Sequence, residues 1–270
     1  MKISIVTPVL NGFRYLPEAI HSINRQDYDG WEHIIVDGGS NDGSQEIGKD
    51  WAAREERARF VSAPSLGMYP SILRGFEEAT GEILCWLNCD DLFTPWALSV
   101  AAGCFQGASV KWVSGLPGRW DDHGRLCAVG PILAPPRKWI KRGWFHGRFL
   151  GFLQQESMFF SRSLYETLTK TEKDVIASME LAGDFALWRM FAARTQLEII
   201  PTTLSGFRHH GKNLSIQRLE DYYAEIKKQG APFPPKEIAR VAAYLLRLYS
   251  ALNYQEVLDR HCAKNPGSHL

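Results

Sequence analysis

The chain has 270 residues, of which 45% are apolar and 23% charged. That excludes a disordered protein and allows one large α/β domain or two smaller ones. A net charge of +1 gives no global pull toward nucleic acid, so any electrostatic targeting has to be local. The five cysteines (Cys85, Cys89, Cys104, Cys127, Cys262) form no CxxC pair, which argues against a zinc site or disulfide framework and for a reduced, cytosolic setting.

Lys2 to Thr7 reads as a strand that stops at Pro8, and not as a signal peptide. No apolar run reaches the roughly 18 residues of a membrane-spanning helix. Tyr15 to Arg25 has helical spacing (Leu16, Ala19, Ile20, Ile23), with Pro17 tolerated in the first turn. Trp31 to Val36 is a second strand, ending at Asp37, and Ser44 to Glu55 a helix. Phe60 to Ser62 is a third strand. Pro70 to Thr80 is a helix with Gly81 as its expected left-handed terminator. Ile83 to Leu87 is a fourth strand. This alternation predicts a mainly parallel sheet with helices on both faces, and ligands at the carboxyl ends of its strands.

Val110 to Gly115 and Cys127 to Gly130 read as strands around the polar turn Asp121-Asp122-His123-Gly124. Prolines 131, 135 and 136 form a joint. Met158 to Phe160 and Glu198 to Ile200 read as strands, and Ser163 to Thr169 and Asp184 to Ala193 as helices. Leu219 to His261 reads as two or three amphipathic helices interrupted by Pro232, Pro234 and Pro235.

The chemistry lies at the strand ends. Ile83–Leu87 runs directly into Asn88-Cys89-Asp90-Asp91, and a core strand has no structural use for two adjacent carboxylates. Neighbouring side chains on extended backbone point to opposite sides, so the pair can divide its work between a sugar hydroxyl and a divalent cation. Hard oxygen ligands beside a diphosphate suit Mg²⁺ or Mn²⁺. The loops TPVLNG and DGGSNDGS follow the first two strands. Glycines there let backbone approach a ligand, and Asp37 can accept from an imide N–H or a ribose hydroxyl. The same residues also suit an ordinary turn. Neither loop is a P-loop.

The order TPVLNG, VDGGSNDGS, GEILCWLNCDD resembles a family 2 glycosyltransferase of the GT-A fold. The resemblance continues through QESMFFSRSL (155–164), GDFALW (183–188) and FRHHGKNLS (207–215). It covers about residues 1–216, a nucleotide-binding half (1–110) and an acceptor half (111–216), followed by a helical region, 217–270. It implies an inverting, metal-dependent transfer from a nucleotide-diphospho-sugar, such as a UDP-sugar, to a carbohydrate or lipid-linked acceptor in bacterial polysaccharide or glycoconjugate assembly. In that register Thr7, Pro8, Asn11 and Asp37 border the base, and Asp90 contacts the ribose. Asp91 and His210 form the metal site. Gln155 lies near the donor sugar or acceptor, and Asp184 is the general base. Asp184 opens a predicted helix, where the dipole is expected to lower its pKa.

The chain departs from the family pattern at Ser65-Leu66-Gly67-Met68-Tyr69-Pro70. There Ser65 and Pro70 replace two acids, and Arg74 stands where the family has lysine. Arg74 is still expected to meet the diphosphate. The stretch 137–150 interleaves cations with aromatics. It suits peripheral docking at the inner face of the cell membrane or a part-buried loop beside the acceptor, and no nucleic-acid motif accompanies it. A sugar nucleotidyltransferase and a catalytically silent nucleotide-sugar-binding protein are the competing readings. The first would want a glycine- and lysine-rich loop after the first strand, and the second a broken base or metal site.

Overall fold

The computed structural model describes residues 1–107, 109–131 and 133–252. The strands are β1 (Ile3–Val9), β2 (Trp31–Asp37), β3 (Ala58–Ser62), β4 (Ile83–Trp86), β5 (Leu92–Phe93), β6 (Trp112–Ser114), β7 (Gly118–Trp120), β8 (Leu126–Val129), β9 (Met158–Ser161), β10 (Glu198–Ile199) and β11 (Ser205–Arg208). The helices are α1 (Leu16–Asn24), α2 (Ser44–Arg54), α3 (Met68–Glu78), α4 (Ala97–Cys104), α5 (Arg137–Lys141), α6 (Arg162–Tyr165), α7 (Lys170–Ala177), α8 (Gly183–Ala192), α9 (Leu214–Gln217), α10 (Leu219–Lys228) and α11 (Lys236–Leu252).

A seven-stranded sheet in the order β10-β6-β9-β4-β1-β2-β3 forms the centre. The pairs β1–β2, β2–β3, β1–β4 and β6–β10 are parallel, and β9 runs antiparallel to both its neighbours. β1 and β2 are buried on both faces, as expected for strands covered by helices on each side. A second sheet has four strands in the order β5-β11-β7-β8. The polar turn at 121–124 joins β7 to β8, whereas β6 belongs to the central sheet.

Several boundaries differ from the sequence reading, among them the helix expected over 163–169, which ends at Tyr165 so that Thr169 caps α7, and two have a plain cause. β1 runs through Pro8 to Val9. Val6 O accepts Leu87 N–H on the β4 side, and residues two apart face the same neighbour. Pro8 therefore faces the side where pairing to β4 has already ended, and its missing N–H costs no ladder bond. Gly81 does not terminate α3, which ends at Glu78. A Cβ at Gly81 would lie 2.6 Å from Lys2 O and from Ser4 Oγ, so the glycine serves a close backbone approach to β1.

Beneath the sheet the rings of Trp86, Trp188 and Trp112 form a continuous stack, with centroid separations of 5.4 and 5.5 Å. This stack fixes α8 against β4 and β6. Tyr222, Tyr223 and Ile226 of α10 belong to the same core cluster. Among the described residues no helix is long and apolar enough to cross a membrane. The predicted helical span to His261 runs past Leu252 and so lies partly outside the described residues, as does Cys262.

Candidate functional site

The loops after β1 and β2 are laced together. Asn11 N–H donates to Ser40 Oγ at 2.9 Å, and Asn11 Oδ1 accepts from Asn41 N at 3.0 Å. Gly12 N–H donates to Ser44 Oγ, and Phe13 N–H to Asp42. Asn11 holds a left-handed conformation, φ 54°, which asparagine tolerates better than most residues. Below these loops Asp37 is fully buried. Its Oδ1 accepts from Gly39 N and Ser40 N, both at 2.9 Å, and its Oδ2 has no partner. An orphaned, buried carboxylate oxygen is an open acceptor for one ligand N–H.

Thr7 does not reach this space. Its hydroxyl accepts from His33 Nε2–H at 2.9 Å inside the core. Trp51 Nε1–H donates to His33 Nδ1 at 3.1 Å, which fixes that tautomer, and burial pushes the imidazole down to about 3, keeping it neutral. Arg74 also stands apart. Its guanidinium pairs with Glu77 and Glu78 on its own helix, and none of its bonds reaches another site residue. Pro8 is buried in β1.

The acidic pair is separated in function by its partners. Asp91 is 1% exposed. Its Oδ1 accepts from Arg208 N at 2.9 Å, and Oδ2 faces Asn88 Nδ2 at 3.4 Å. Burial, with the charges of Asp90 and Glu156, raises its pKa well above the carboxylate range. Asp90 accepts at Oδ2 from His210 Nε2–H, 2.9 Å away. Lys212 N–H donates to His210 Nδ1, and the ring stacks on Tyr15 at 4.5 Å. His210, expected beside Asp91, is thus placed on Asp90, and Asn213 Nδ2 lies 3.0 Å from the same ring nitrogen.

Asp184 occupies the second position of α8, and its charge reaches Glu156, as does that of Asp90. Its Oδ1 accepts from Phe185 N at 2.8 Å and from Tyr69 Oη–H at 3.2 Å, and Tyr69 Oη also lies 3.0 Å from Leu181 O. The expected depression of its pKa by the helix dipole is reversed. Burial raises Asp184 to about 6, because desolvation of the carboxylate outweighs the bonds and dipole that favour its charge. A Cβ on Gly183 would sit 2.6 Å from the Tyr69 ring, so glycine is what lets the tyrosine pass.

Several site residues had no clear sequence signal. Glu225 of α10 accepts from Glu180 N, Leu181 N and Ala182 N at 3.1, 3.1 and 2.9 Å, capping the entry to α8. Glu225→Ala should therefore cost about 1–2 kcal/mol of stability, read as a lowered midpoint in urea unfolding. Glu156 is buried beside Gln155, and burial plus the charges of Asp184 and Asp90 raise it to about 7. Its Oε2 and both polar side-chain atoms of Gln155 have no partner. The tyrosine in Leu66-Gly67-Met68-Tyr69 was a visible signal, since it falls in a segment shared with the family pattern.

A divalent cation can be tested against this arrangement. Asp90, Asp91 and Glu156 bring negative charge together, and burial first, with that charge added, raises both Asp91 and Glu156. That is what a cation would relieve, and the donors are hard oxygens. Among the described residues no three His, Cys, Asp or Glu converge on one point. An ion held by one or two carboxylates plus substrate phosphates needs no such cluster.

The model of the family described as Glycosyl transferase family 2 matches residues 4–189. An uncharacterized glycosyltransferase of Nostoc sp. is 32% identical over 114 residues, 42% of this chain and 35% of the relative. Glycosyltransferase GlyA of Streptococcus pneumoniae is 29% identical over 172 residues, 64% of this chain and 22% of the relative. The matched stretches thus span about a third or less of these relatives' own length. Among solved structures, S. aureus TarS 1–349 in complex with UDP-GlcNAc superposes with a TM-score of 0.63 at 16% identity, covering 97% of this chain and 73% of that one. Mannosyltransferase PcManGT from Pyrobaculum calidifontis, in complex with GDP-Man and Mn²⁺, gives 0.59 at 20% identity, covering 100% and 76%.

Proposed function

The chain belongs to glycosyl transferase family 2, and from that premise we propose that it transfers a sugar, with inversion, from a nucleotide-diphospho-sugar to an acceptor hydroxyl. The observation that carries this reading is Asp184. One carboxylate oxygen is held by Tyr69 and the Phe185 amide, its pKa is raised toward neutrality, and Glu156 feels the charge of both it and Asp90. A carboxylate tuned upward is a better base than an ordinary one, yet is still ionised at pH 7.

The donor base lies over Asp37, whose one free oxygen suits the single imide N–H of uracil; guanine would ask for a second acceptor. UDP-sugars are therefore the preferred donors, although the two structural neighbours hold different nucleotides, UDP-GlcNAc and GDP-Man. Asp90, oriented by His210, receives the ribose. Asp91, with Asp90 at hand, would hold Mn²⁺ or Mg²⁺, which when bound neutralises the diphosphate as it leaves. The buried, unpartnered amide of Gln155 is the group for sugar hydroxyls. Asp184 then takes the acceptor proton on the face away from the diphosphate. The acceptor is a carbohydrate or a lipid-linked saccharide, and the setting is polysaccharide or glycoconjugate assembly, the setting named for a teichuronic acid biosynthesis relative of Bacillus subtilis.

The pH dependence follows in sign. Asp184 is active when ionised, so kcat/KM with donor and acceptor should rise with pH through about 6 and level off above it. A profile that stays flat from about pH 5 to about pH 8 would remove Asp184 from the base role. An acceptor product that keeps the donor's anomeric configuration by proton NMR would overturn inversion.

A further inference from the structure

The basic and aromatic stretch at 137–150 splits in the fold. Its aromatics turn inward: Trp139, Trp144 and Phe149 stack at 5.0 and 5.1 Å against the core, and Phe145 is buried. Its cations Lys138, Lys141 and Arg142 stay exposed. The rings expected at a bilayer boundary are therefore not available there. A large exposed apolar face occurs instead on α11.

That helix has two apolar faces. Small residues (Ala239, Ala242, Ala243) with Leu246 and Ser250 turn toward the body of the protein. On another side Ile238, Val241, Leu245, Leu248 and Leu252 recur at spacings of three and four and stand exposed, Val241 at 60% and Leu252 at 85%. Ala134 N–H donates to Ser250 Oγ at 3.0 Å, which pins this helix beside the segment leading into α5.

We propose that the outer face of α11, with the cations of α5, docks the protein on an anionic lipid surface. This inference stands apart from the reading of the transfer site. Charge selects the occupant. α11 carries Lys236, Arg240 and Arg247 on its polar side and one acid, Glu237, at the edge of the stripe. None of these three cations, nor Lys138, Lys141 or Arg142, has a carboxylate partner among the described residues. A second copy of the helix would set three cations against three, with only Glu237 at the edge of each stripe to answer them. Anionic headgroups match the cations, and an apolar stripe edged by tyrosine suits the interface.

The test is co-sedimentation of the full 270-residue chain with phosphatidylcholine vesicles, with and without phosphatidylglycerol. Binding should appear with the anionic lipid and weaken as salt rises. Leu245→Glu with Leu248→Glu should lower the partition coefficient at least about tenfold, and Lys138→Glu with Lys141→Glu should lower it by a similar factor. All four positions are exposed, so the thermal midpoint should hold. Equal binding to neutral and anionic vesicles, or no change in either variant, overturns the proposal. So does a wild-type dimer in sedimentation equilibrium that the leucine variant dissociates, because the face would then belong to a second copy.

Discussion

Asp184→Asn is expected to slow transfer by about a thousandfold while donor affinity changes by less than about twofold. The substitution keeps the shape of the site. Asparagine Oδ1 can still accept from the Phe185 amide and from Tyr69, the two bonds that hold the side chain now. What it loses is the basic lone pair. This separates catalysis from architecture, since a residue that merely stabilised the start of α8 would be replaced by asparagine with little loss. Single-turnover rates and calorimetric donor titration read the two quantities independently. A variant retaining more than about a tenth of the wild-type rate would assign the proton transfer to another group.

The second large effect is expected at Asp91, where activity and stability should move in opposite directions. Asp91→Asn should lower cation-dependent turnover by at least about a hundredfold, since the metal supplies several kcal/mol of charge neutralisation at the leaving group. Without a cation the same variant should unfold a few degrees higher. The sign follows from linkage. Burial and the charges of Asp90 and Glu156 raise the folded-state pKa of Asp91, so the folded protein holds this proton more tightly than the unfolded chain does. Relative to low pH, the cost of this carboxylate builds as pH rises from its unfolded-state pKa to its folded-state one and is full above that, and asparagine removes it. The difference between variant and wild type should shrink as pH falls from the folded-state pKa to the unfolded-state one and vanish below it. Arg208 N–H keeps its acceptor, and the unpartnered Asn88 Oδ1 can take the new amide hydrogen. A lowered midpoint at neutral pH would show that the carboxylate is not strained in the fold.

The strand-and-helix alternation of the first hundred residues was legible because β1, β2 and β4 are short apolar runs stopped by turn residues, and α1 and α3 carry a clear helical stripe. α4 was not legible: Ala97–Cys104 is apolar almost all round and has no stripe to detect. α7 had a readable start, a capping box of Thr169 and Glu172, that the hydrophobic pattern alone does not reveal. β11 is four residues long and gains its identity only from β5 and β7.

At the site, the residues that bond within a loop were readable, and those defined by distant packing were not. Asn11, Asp37 and Asp90 stand at strand ends, where the alternation put them. Thr7 shares the side of β1 taken by Ile3 and Ile5, so strand parity already pointed it toward the core and His33. The acids at 77 and 78, three and four residues after Arg74, were likewise visible as its partners. The direction of the Asp184 shift was not visible. A helix start predicts a lowered pKa, and the opposite result comes from burial produced by chain segments more than a hundred residues away, Tyr69 among them. Glu225 reaches α8 from a helix that the family pattern does not include.

The central claim, a cation-assisted transfer run from the acidic pair, is tested most directly by nucleoside diphosphate release. Wild type and Asp91→Asn are incubated in parallel with a panel of nucleotide-sugars, with Mn²⁺ or with chelator. Slow release of UDP that requires the cation and disappears in the variant is the predicted result. Donor binding without turnover under every condition, or pyrophosphate release from a nucleoside triphosphate and a sugar phosphate, would contradict it.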